Sequence, residues 1–300
     1  MHRAPRLLLL FLLGTSVVTV QPAVRLMASA EPGGAKPAQQ ATLKPVAAAS
    51  PDIPFTDFDS AAEHQLLDLA NQARAQAGAP PLRLDPGLSQ AARTHAQAMF
   101  AARQLSHQFS GEPSLPQRIA AASQLVLDQE GENVAFDNDA ERGHEHLMLS
   151  PPHRANLLNP AYNVIGLGVV HSGDRLYIVQ DFGHALPNFS LDEIKDRVAA
   201  SVTQARHQAG QPDLARRDLL TADDAACSMA KADRLGTTPV RQLSQRFTVL
   251  TYTSMHPETL PASAARIVSS RNLHSFSIGA CYARTDTYPT GVYWVVLSLD

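Results

Sequence analysis

The sequence has almost no excess of charge of either sign. Lysine and arginine number 25 and aspartate and glutamate 28, which leaves a net charge of −3 at pH 7. No run rich in arginine or lysine is interleaved with aromatic residues, which make up only 6% of the chain. Because nucleic-acid binding needs an extended basic surface, we expect no nucleic-acid partner.

Short catalytic signatures are missing as well. The sequence contains no Gly-x-Ser-x-Gly elbow, no His-Glu-x-x-His helix and no nucleotide-binding glycine loop. Its two cysteines, Cys227 and Cys281, lie near the carboxyl end, so the part before them has no cysteine nucleophile. Whether the protein is an enzyme therefore stays open on these grounds.

The one long apolar run lies at the amino terminus. Arg3 and Arg6 precede an apolar stretch at residues 7–20, and small residues at 28–30 suit a cleavage site. This pattern predicts a secretory signal peptide over residues 1–30. The run is too short to span a membrane and no cysteine follows it to carry a lipid, so a membrane anchor is the less favoured alternative. We expect a secreted protein, extracellular or periplasmic, with no membrane span in the mature chain.

The segment after the signal peptide differs in composition from the rest of the chain. Residues 31–57 are rich in Ala, Pro, Gln and Lys with few large apolar side chains. Such a segment cannot bury enough apolar surface to offset its ordering entropy, so we predict a disordered linker. The remaining length suits two domains, which we place at residues 58–188 and 189–300.

The two predicted domains share a repeated segment. Residues 73–82, ARAQAGAPPL, recur as ARHQAGQPDL at residues 205–214. Each copy lies on a helix predicted to begin at a Ser-x-x-Glu capping box and to end at a glycine. These positions are Ser60 with Glu63 and Gly78, and Ser190 with Glu193 and Gly210. The repetition predicts an internal duplication, with coincidence between alanine-rich helices as the alternative.

The two cysteines fall on a predicted helix and a predicted strand of the second domain. In an exported protein such a pair favours a disulfide between Cys227 and Cys281. Two buried free thiols are the alternative, because the repeat places Cys227 where the first copy has His95. Helical spacing puts His95 on the apolar face of a helix that begins near Asp85, so it is predicted to be a core histidine rather than a ligand.

Four motifs of the first domain follow one another in a recognisable order. They are Leu105-Ser-His-Gln, Gly131-Glu-Asn-Val-Ala, Ser150-Pro-Pro-His-Arg-Ala-Asn-Leu-Leu-Asn-Pro and Tyr177-Ile-Val-Gln-Asp-Phe-Gly. With this set, residues 58–188 resemble the bacterial secreted SCP-type domains of the CAP superfamily, which includes the cysteine-rich secretory, antigen-five and pathogenesis-related proteins. The resemblance implies an α+β fold, a three-layer α-β-α sandwich around a small antiparallel sheet. Residues 189–300 would then be a degenerate CAP-like α+β domain.

The same resemblance implies a shared cleft lined by His107, Glu132 and His153. Two imidazoles and one carboxylate match the ligands of a zinc site with one open position, so zinc or calcium is a candidate cofactor. Other interpretations stay open. His107 could be an exposed loop histidine, Glu132 a strand-end carboxylate that bonds backbone amides, and His153 a packing residue at a helix start.

Several neighbours of these three residues complete the predicted cleft. Ser150 stands where many relatives have a second glutamate, and as the helix N-cap it would add no charge and weaken cation binding. Glu145 could compensate, although a solvated helix residue is the favoured interpretation, and His144 and His146 form an exposed His-x-His pair. Asn133 is expected to orient the cleft. Gln180 and Asp181 are expected to face it from a strand end.

Three functions are consistent with this reading. The first is an extracellular binding module for a lipid, a cell-wall component or a protein, with or without a divalent metal. The second is a metal-assisted hydrolase in which His107 and His153 hold a cation and Glu132 serves as ligand or general base. The third is an extracellular scaffold whose site is vestigial. The missing second carboxylate argues against strong metal catalysis.

Overall fold

The structure is a computed structural model that describes residues 58–300. The predicted signal peptide and linker therefore lie outside the described residues. In residues 58–188 the elements are α1 Ser60–Ala77, β1 Arg83–Leu84, α2 Pro86–Ala102, α3 Leu115–Ala122, β2 Leu127–Asp137, α4 Ala140–Leu149, α5 Pro151–Leu158, β3 Val164–Ser172 and β4 Arg175–Ala185. In residues 189–300 they are α6 Leu191–Gln208, β5 Ala215–Arg216, α7 Leu220–Lys231, α8 Thr238–Leu243, β6 Thr248–Ser254, α9 Ala262–Val268, β7 Ser275–Ala283 and β8 Val292–Leu299.

The first sheet has the strand order β1-β3-β4-β2. Its three long strands are antiparallel, as predicted, while the two-residue β1 runs parallel to β3. Helices α2 and α3 pack on one face, and α1, α4 and α5 pack on the other. The result is a mixed α+β fold with a sheet between helical layers, in which β2 is an edge strand.

Two glycines let α2 approach this sheet closely. A Cβ atom on Gly166 would lie 2.1 Å from the backbone of Leu88, and one on Gly168 would lie 2.4 Å from the backbone of Ala92. Real Cβ atoms do not come so near backbone, so the Gly-Leu-Gly spacing in β3 sets the distance between helix and sheet. The helix that carries His95 is thereby held against the strands that carry the cleft.

The predicted capping box is present at the start of α6 but not at the start of α1. Ser190 and Glu193 form the predicted capping box of α6. At α1 the prediction was wrong, because Asp59 is the N-cap and accepts a hydrogen bond from the amide of Ala62 at 2.9 Å. Glu63 instead pairs with Arg93 across to α2, with Arg93 Nε 2.8 Å from Glu63 Oε1. Glu63 thus takes part in a tertiary ion pair, while Asp59 caps the helix.

The second sheet repeats the arrangement of the first. Its order is β5-β7-β8-β6, with β5 parallel to β7 and the remaining pairs antiparallel. Helices α6 and α9 pack against one apolar cluster of this sheet, and α7 and α8 pack against the cluster around Trp294. The described residues thus hold two four-stranded sheets of the same strand order and direction.

A disulfide joins α7 to β7. Cys227 and Cys281 are bonded with their Cα atoms 5.1 Å apart, as predicted, so the alternative of two free thiols was wrong. The predicted equivalence of Cys227 and His95 was also wrong. Asp223 Oδ1 accepts a hydrogen bond from the Ala280 amide at 3.1 Å, and Ser89 Oγ accepts one from the Leu167 amide at 3.2 Å. These matching bonds make Asp223 the equivalent of Ser89. The two helices therefore align two residues away from the position that the repeated segment predicts.

This alignment shows which helix–strand contact of the first half corresponds to the disulfide. With Asp223 in the place of Ser89, Cys227 takes the place of Arg93 and Cys281 the place of Gly168. In the first half, glycine leaves room for the backbone of α2. In the second half the same contact between helix and strand is a covalent bond.

We expect the Cys227→Ser, Cys281→Ser double variant to lose stability in the second half. In the chain-entropy model a disulfide that closes a loop with a sequence separation of 54 contributes about 4 kcal/mol to the free energy of unfolding. Urea unfolding followed by the fluorescence of the single tryptophan, Trp294, measures the loss. Reduced wild-type protein serves as the control and should unfold like the variant. An unchanged midpoint in both would contradict a stabilising role.

Candidate functional site

The three predicted cleft residues come from three different elements at the β2 edge. His107 lies in the loop between α2 and α3, Glu132 lies on β2, and His153 is the third residue of α5. The Nδ1 atom of His107 is 2.9 Å from Glu132 Oε1. The His107 side chain is 57% exposed whereas that of Glu132 is 5% exposed. Of the two residues, Glu132 is thus buried and His107 faces the solvent.

The second carboxylate oxygen of Glu132 is held from beneath by Arg118. The Nη2 group of Arg118 donates to Glu132 Oε2, and its Nη1 group donates to the carbonyl of Pro113 at 3.1 Å. The Arg118 side chain is only 3% exposed. Because a buried ion pair with further hydrogen bonds is geometrically demanding, this contact fixes where the Glu132 carboxylate points.

His153 is held at the cleft through its backbone and its burial. Its carbonyl accepts a hydrogen bond from Asn133 Nδ2 at 3.1 Å. Burial lowers the pKa of His153, and the nearby His107 lowers it further. Both effects favour the neutral imidazole, and burial is the larger of the two. Ser150 does occupy the N-cap position of α5, yet its side chain makes no capping hydrogen bond, which corrects the prediction.

Asn133 is the centre of an amide network behind the cleft. Besides the carbonyl of His153, its Nδ2 group donates to Gln180 Oε1 at 3.2 Å. Asn156 Nδ2 donates to Asn133 Oδ1 at 3.0 Å and to the carbonyl of Glu132 at 3.2 Å. These bonds join β2, β4 and α5. They support the orienting role expected for Asn133.

His95 is a buried core histidine, as expected, but it also shapes the cleft. Its Nε2 atom lies 2.8 Å from the carbonyl of Ser106, and its Nδ1 atom lies 2.6 Å from Glu112 Oε1. Glu112 Oε2 in turn accepts the amide of Phe109 at 3.0 Å. Since Ser106 and Phe109 flank His107, the His95 and Glu112 pair holds the loop that carries His107.

Asp181 lies behind Glu132 and is completely buried. It was expected at a strand end facing the cleft, but it lies within β4, paired with Glu132 on one side and Gly166 on the other. Neither of its carboxyl oxygens has a hydrogen-bond donor among the described residues. Burial raises the pKa of Asp181 well above its usual range, and the negative charge of Glu132 raises it further. The raised pKa favours the neutral acid, which adds no second negative charge beside Glu132.

The residues near α4 do not join this cleft. Glu145 lines a different groove of about 440 Å³ between α1 and α4, together with Leu149 and Arg154. His144 is buried and burial lowers its pKa, so the predicted exposed His-x-His pair was wrong. His146 is exposed and pairs with Asp137 Oδ2 at 2.5 Å.

The cleft does not fit a divalent cation well. Within residues 58–300, no group of three or more histidine, cysteine, aspartate or glutamate side chains is placed to hold a metal ion. Both oxygens of Glu132 are already engaged, one by the cation Arg118 and one by His107. A metal at this carboxylate would have to displace a buried ion pair and would lie close to a fixed positive charge.

Sequence reasoning missed Arg118, Glu112 and Asn156 as parts of the site. Nothing in the spacing of Arg118 marks it as the partner of Glu132. Asn156 lies inside the Pro-Pro-His-Arg-Ala-Asn motif, three residues after His153. One turn of helix separates residues three apart, so that motif could have signalled it.

The chain is similar to proteins of one family over part of its length. Residues 67–182 match the Cysteine-rich secretory protein family, CAP. A similar relative is the uncharacterized protein YkwD of Bacillus subtilis, 34% identical over 115 residues, which are 38% of this chain and 44% of the relative. The match therefore spans less than half of either protein.

Two solved structures are similar to this chain over part of its length. An extracellular protein containing an SCP domain from Bacillus anthracis is 26% identical, with a TM-score of 0.38 and coverage of 41% of this chain and 40% of that one. A cysteine-rich secretory protein from Staphylococcus aureus is 19% identical, with a TM-score of 0.34 and coverage of 41% and 38%. No helix within residues 58–300 is long and apolar enough to cross a membrane.

We expect Arg118→Met to destabilise the first half strongly. The variant removes the buried cation that pairs with Glu132, and loss of one partner of a buried pair costs about 3–5 kcal/mol. Urea unfolding followed by far-UV circular dichroism measures this loss. The Arg118→Met, Glu132→Gln double variant is the matched control and should be less destabilised than the sum of both single variants. Additive losses would show that the two side chains do not interact.

A second prediction concerns the pH dependence of stability. Because the pKa of Asp181 is raised in the folded state, the native protein keeps a proton that the unfolded chain releases above about pH 4. The free energy of unfolding should then fall as pH rises towards the native pKa, by up to about 1.4 kcal/mol per pH unit. Asp181→Asn lacks this proton. The stability of wild type minus that of the variant should decrease with rising pH, and a constant or increasing difference would contradict the assignment.

Proposed function

We propose that the protein is an exported binding module whose cleft at His107, Glu132 and His153 holds a polar component of the cell wall. The match of residues 67–182 to the CAP family supports this proposal. The rim offers an exposed imidazole, and the floor offers a carboxylate whose direction is fixed. A second imidazole is kept neutral and can both donate and accept. Such convergent polar groups suit a ligand rich in hydroxyl and amide groups.

The engagement of both oxygens of Glu132 carries this proposal. His107 and Arg118 fix the carboxylate before any ligand arrives, so no rotamer freedom is lost on binding. The same contacts make Glu132 a poor metal ligand and a poor general base, because its charge is already compensated. They therefore favour cation-independent binding over the metal-assisted hydrolase. They also disfavour the vestigial scaffold, since a site without a ligand would not need a pre-organised carboxylate.

Export is part of the proposal. The signal-peptide pattern of residues 1–30 supports it from the sequence. The disulfide between Cys227 and Cys281 supports it from the structure, because disulfides persist in oxidising compartments and are rare in reducing ones.

We also propose that residues 189–300 are a degenerate copy of the CAP domain. Both sheets have the same strand order and directions. Arg74 and Arg206, the arginines of the repeated segment, are both buried and make matching bonds. Arg74 Nε donates to the carbonyl of Pro80 at 2.7 Å, and Arg206 Nε donates to that of Pro212 at 2.5 Å. With the shift of two residues, Met229 takes the place of His95, so the copy lacks the histidine that supports the cleft loop.

Cosedimentation with purified bacterial cell-wall sacculi tests the function. Wild-type protein should pellet with the sacculi, and His107→Ala should bind at least about tenfold more weakly, since it removes a rim hydrogen bond and frees Glu132. His64→Ala is the matched control, because His64 is an exposed histidine on α1. Binding should survive a chelator. Release by the chelator would contradict cation-independent binding, and equal binding by His107→Ala would exclude this cleft.

The proposal commits to a wall ligand rather than a lipid. Organic extraction of the purified protein followed by mass spectrometry separates the two. Recovery of a stoichiometric lipid together with no affinity for sacculi would replace the present proposal by the lipid alternative.

A further inference from the structure

A second concave site lies beside the cleft, where the two halves of the chain meet. It is a cavity of about 460 Å³, within the range of small-molecule sites. The first half contributes β2 and the start of α3. The second half contributes the end of β6 and the loop before β8. Its polar lining includes Asp128, Glu130, Thr253, Ser254, Thr287, Tyr288 and Thr290.

The two walls of this cavity are tied together by charged side chains. Arg284 of the second half donates to the carbonyls of Ala120 and Leu125 at 2.7 and 3.2 Å. His256 Nε2 lies 2.7 Å from Asp128 Oδ2. These bonds reach α3 and β2 from the second half. The cavity is therefore a built feature of the folded chain.

Each carboxylate oxygen of Asp128 has a histidine partner, whereas the carboxylate oxygens of Glu130 have no partner among the described residues. Asp128 lies between His184 and His256, with His184 Nδ1 2.6 Å from Oδ1. The side chain of Glu130 has no hydrogen bond or ion pair to any of the residues that the structure describes, although its backbone pairs with Gly183 of β4. Burial raises the pKa of Glu130, and the charge of Asp128 adds to the effect. An unpaired, partly desolvated carboxylate of this kind is stabilised by an incoming cation.

The cavity and the cleft share their supporting elements. Glu130 and Glu132 are two residues apart on β2, so they lie on the same face about 7 Å apart. Pro116 lines the cavity, while Arg118, two residues later on α3, holds Glu132. A single extended ligand can therefore reach both sites along β2.

The far wall suits a ligand with both a carbon chain and polar groups. Tyr288 and Met255 offer apolar surface, and the hydroxyl of Tyr288 lies 3.1 Å from Thr253 Oγ1. All three residues belong to the second half. A polymer unit that enters the cavity would thus touch Glu130 on one side and the second half on the other.

We propose that this cavity is a subsite for a primary ammonium group, which pairs with Glu130 while the adjoining unit of the same wall polymer occupies the His107 cleft. The proposal rests on the proposed wall binding and extends it. It also gives the second half a role, as one wall of the ligand site. The ammonium group has two sources in wall polymers, the diamino acid of a stem peptide and a de-N-acetylated amino sugar, and both offer the same chemistry to Glu130.

Soluble wall fragments, untreated or with their amines acetylated, test the subsite by fluorescence titration. Glu130→Gln should weaken binding of untreated fragments about tenfold and leave binding of acetylated fragments unchanged, because only the ammonium pair is lost. Met255→Lys, which places a competing cation in the cavity from the second half, should have the same effect. Glu141→Gln is the matched control, because Glu141 is an exposed glutamate on α4.

Small probes identify the source of the ammonium group and keep the two proposals separate. Chitosan oligosaccharides represent the amino sugar, lysine-containing stem peptides represent the diamino acid, and 1,5-diaminopentane reaches the cavity without filling the cleft. If Glu130→Gln binds untreated fragments and the diamine as wild type does, the subsite is wrong even if His107→Ala abolishes sacculus binding. If wild type ignores sacculi but binds the diamine through Glu130, the wall proposal fails and the ammonium site stands.

Discussion

The buried contact between Arg118 and Glu132 is the constraint on which the rest of the site depends. It brings a carboxylate to the floor of the cleft at the edge of a sheet, where it would otherwise be drawn towards solvent. The position of this carboxylate determines the contacts of its neighbours His107 and Asp181. His107 can then bond the other oxygen of Glu132, and the charge of Glu132 adds to burial in raising the pKa of Asp181.

The charges around this contact are arranged in layers. His107 and His153 lie outermost, and both burial and the nearby His107 lower the pKa of His153. Beneath them Glu132 and Arg118 compensate each other. Further back, His95 and Glu112 hold the loop of His107, and both also lie near the buried ion pair. His95 Nε2 is 3.9 Å from Glu132 Oε2, and Glu112 Oε1 is 3.7 Å from Arg118 Nη1. A substitution of His95 or Glu112 would thus change both the position of the loop and the charges beside Glu132 and Arg118.

The two halves use one framework with different consequences. Arg74 and Arg206 tie each first helix to the chain beyond it through equivalent carbonyls, including those of Leu157 and Val268. The contact between helix and strand is made by glycine in the first half and by a disulfide in the second. The second half thereby becomes a rigid wall without the polar cleft groups. Its edge at β6 and the loop before β8 faces β2, beside the cleft.

Local chemistry along the chain could be read from the sequence because it depends on neighbours a few residues apart. The capping box at Ser190, the left-handed glycines and the strands around the Gly-Leu-Gly segment follow from such short-range rules. The family motifs singled out His107, Glu132 and His153, although their meeting was implied by resemblance and not by spacing. The predicted capping box at Ser60 was wrong, because Glu63 forms an ion pair with Arg93, thirty residues further along the chain.

Only the tertiary structure decided the partners of these residues. Arg118 at Glu132, the protonation of Asp181 and the cavity beside Glu130 all depend on which elements the sheet brings together. Burial then changes the charges of the groups it encloses. No local pattern encodes this, because the free energy of a charge is set by the distances and the dielectric that the whole fold imposes. The sequence thus determined which elements form and which residue types are available, and packing determined what those residues can do.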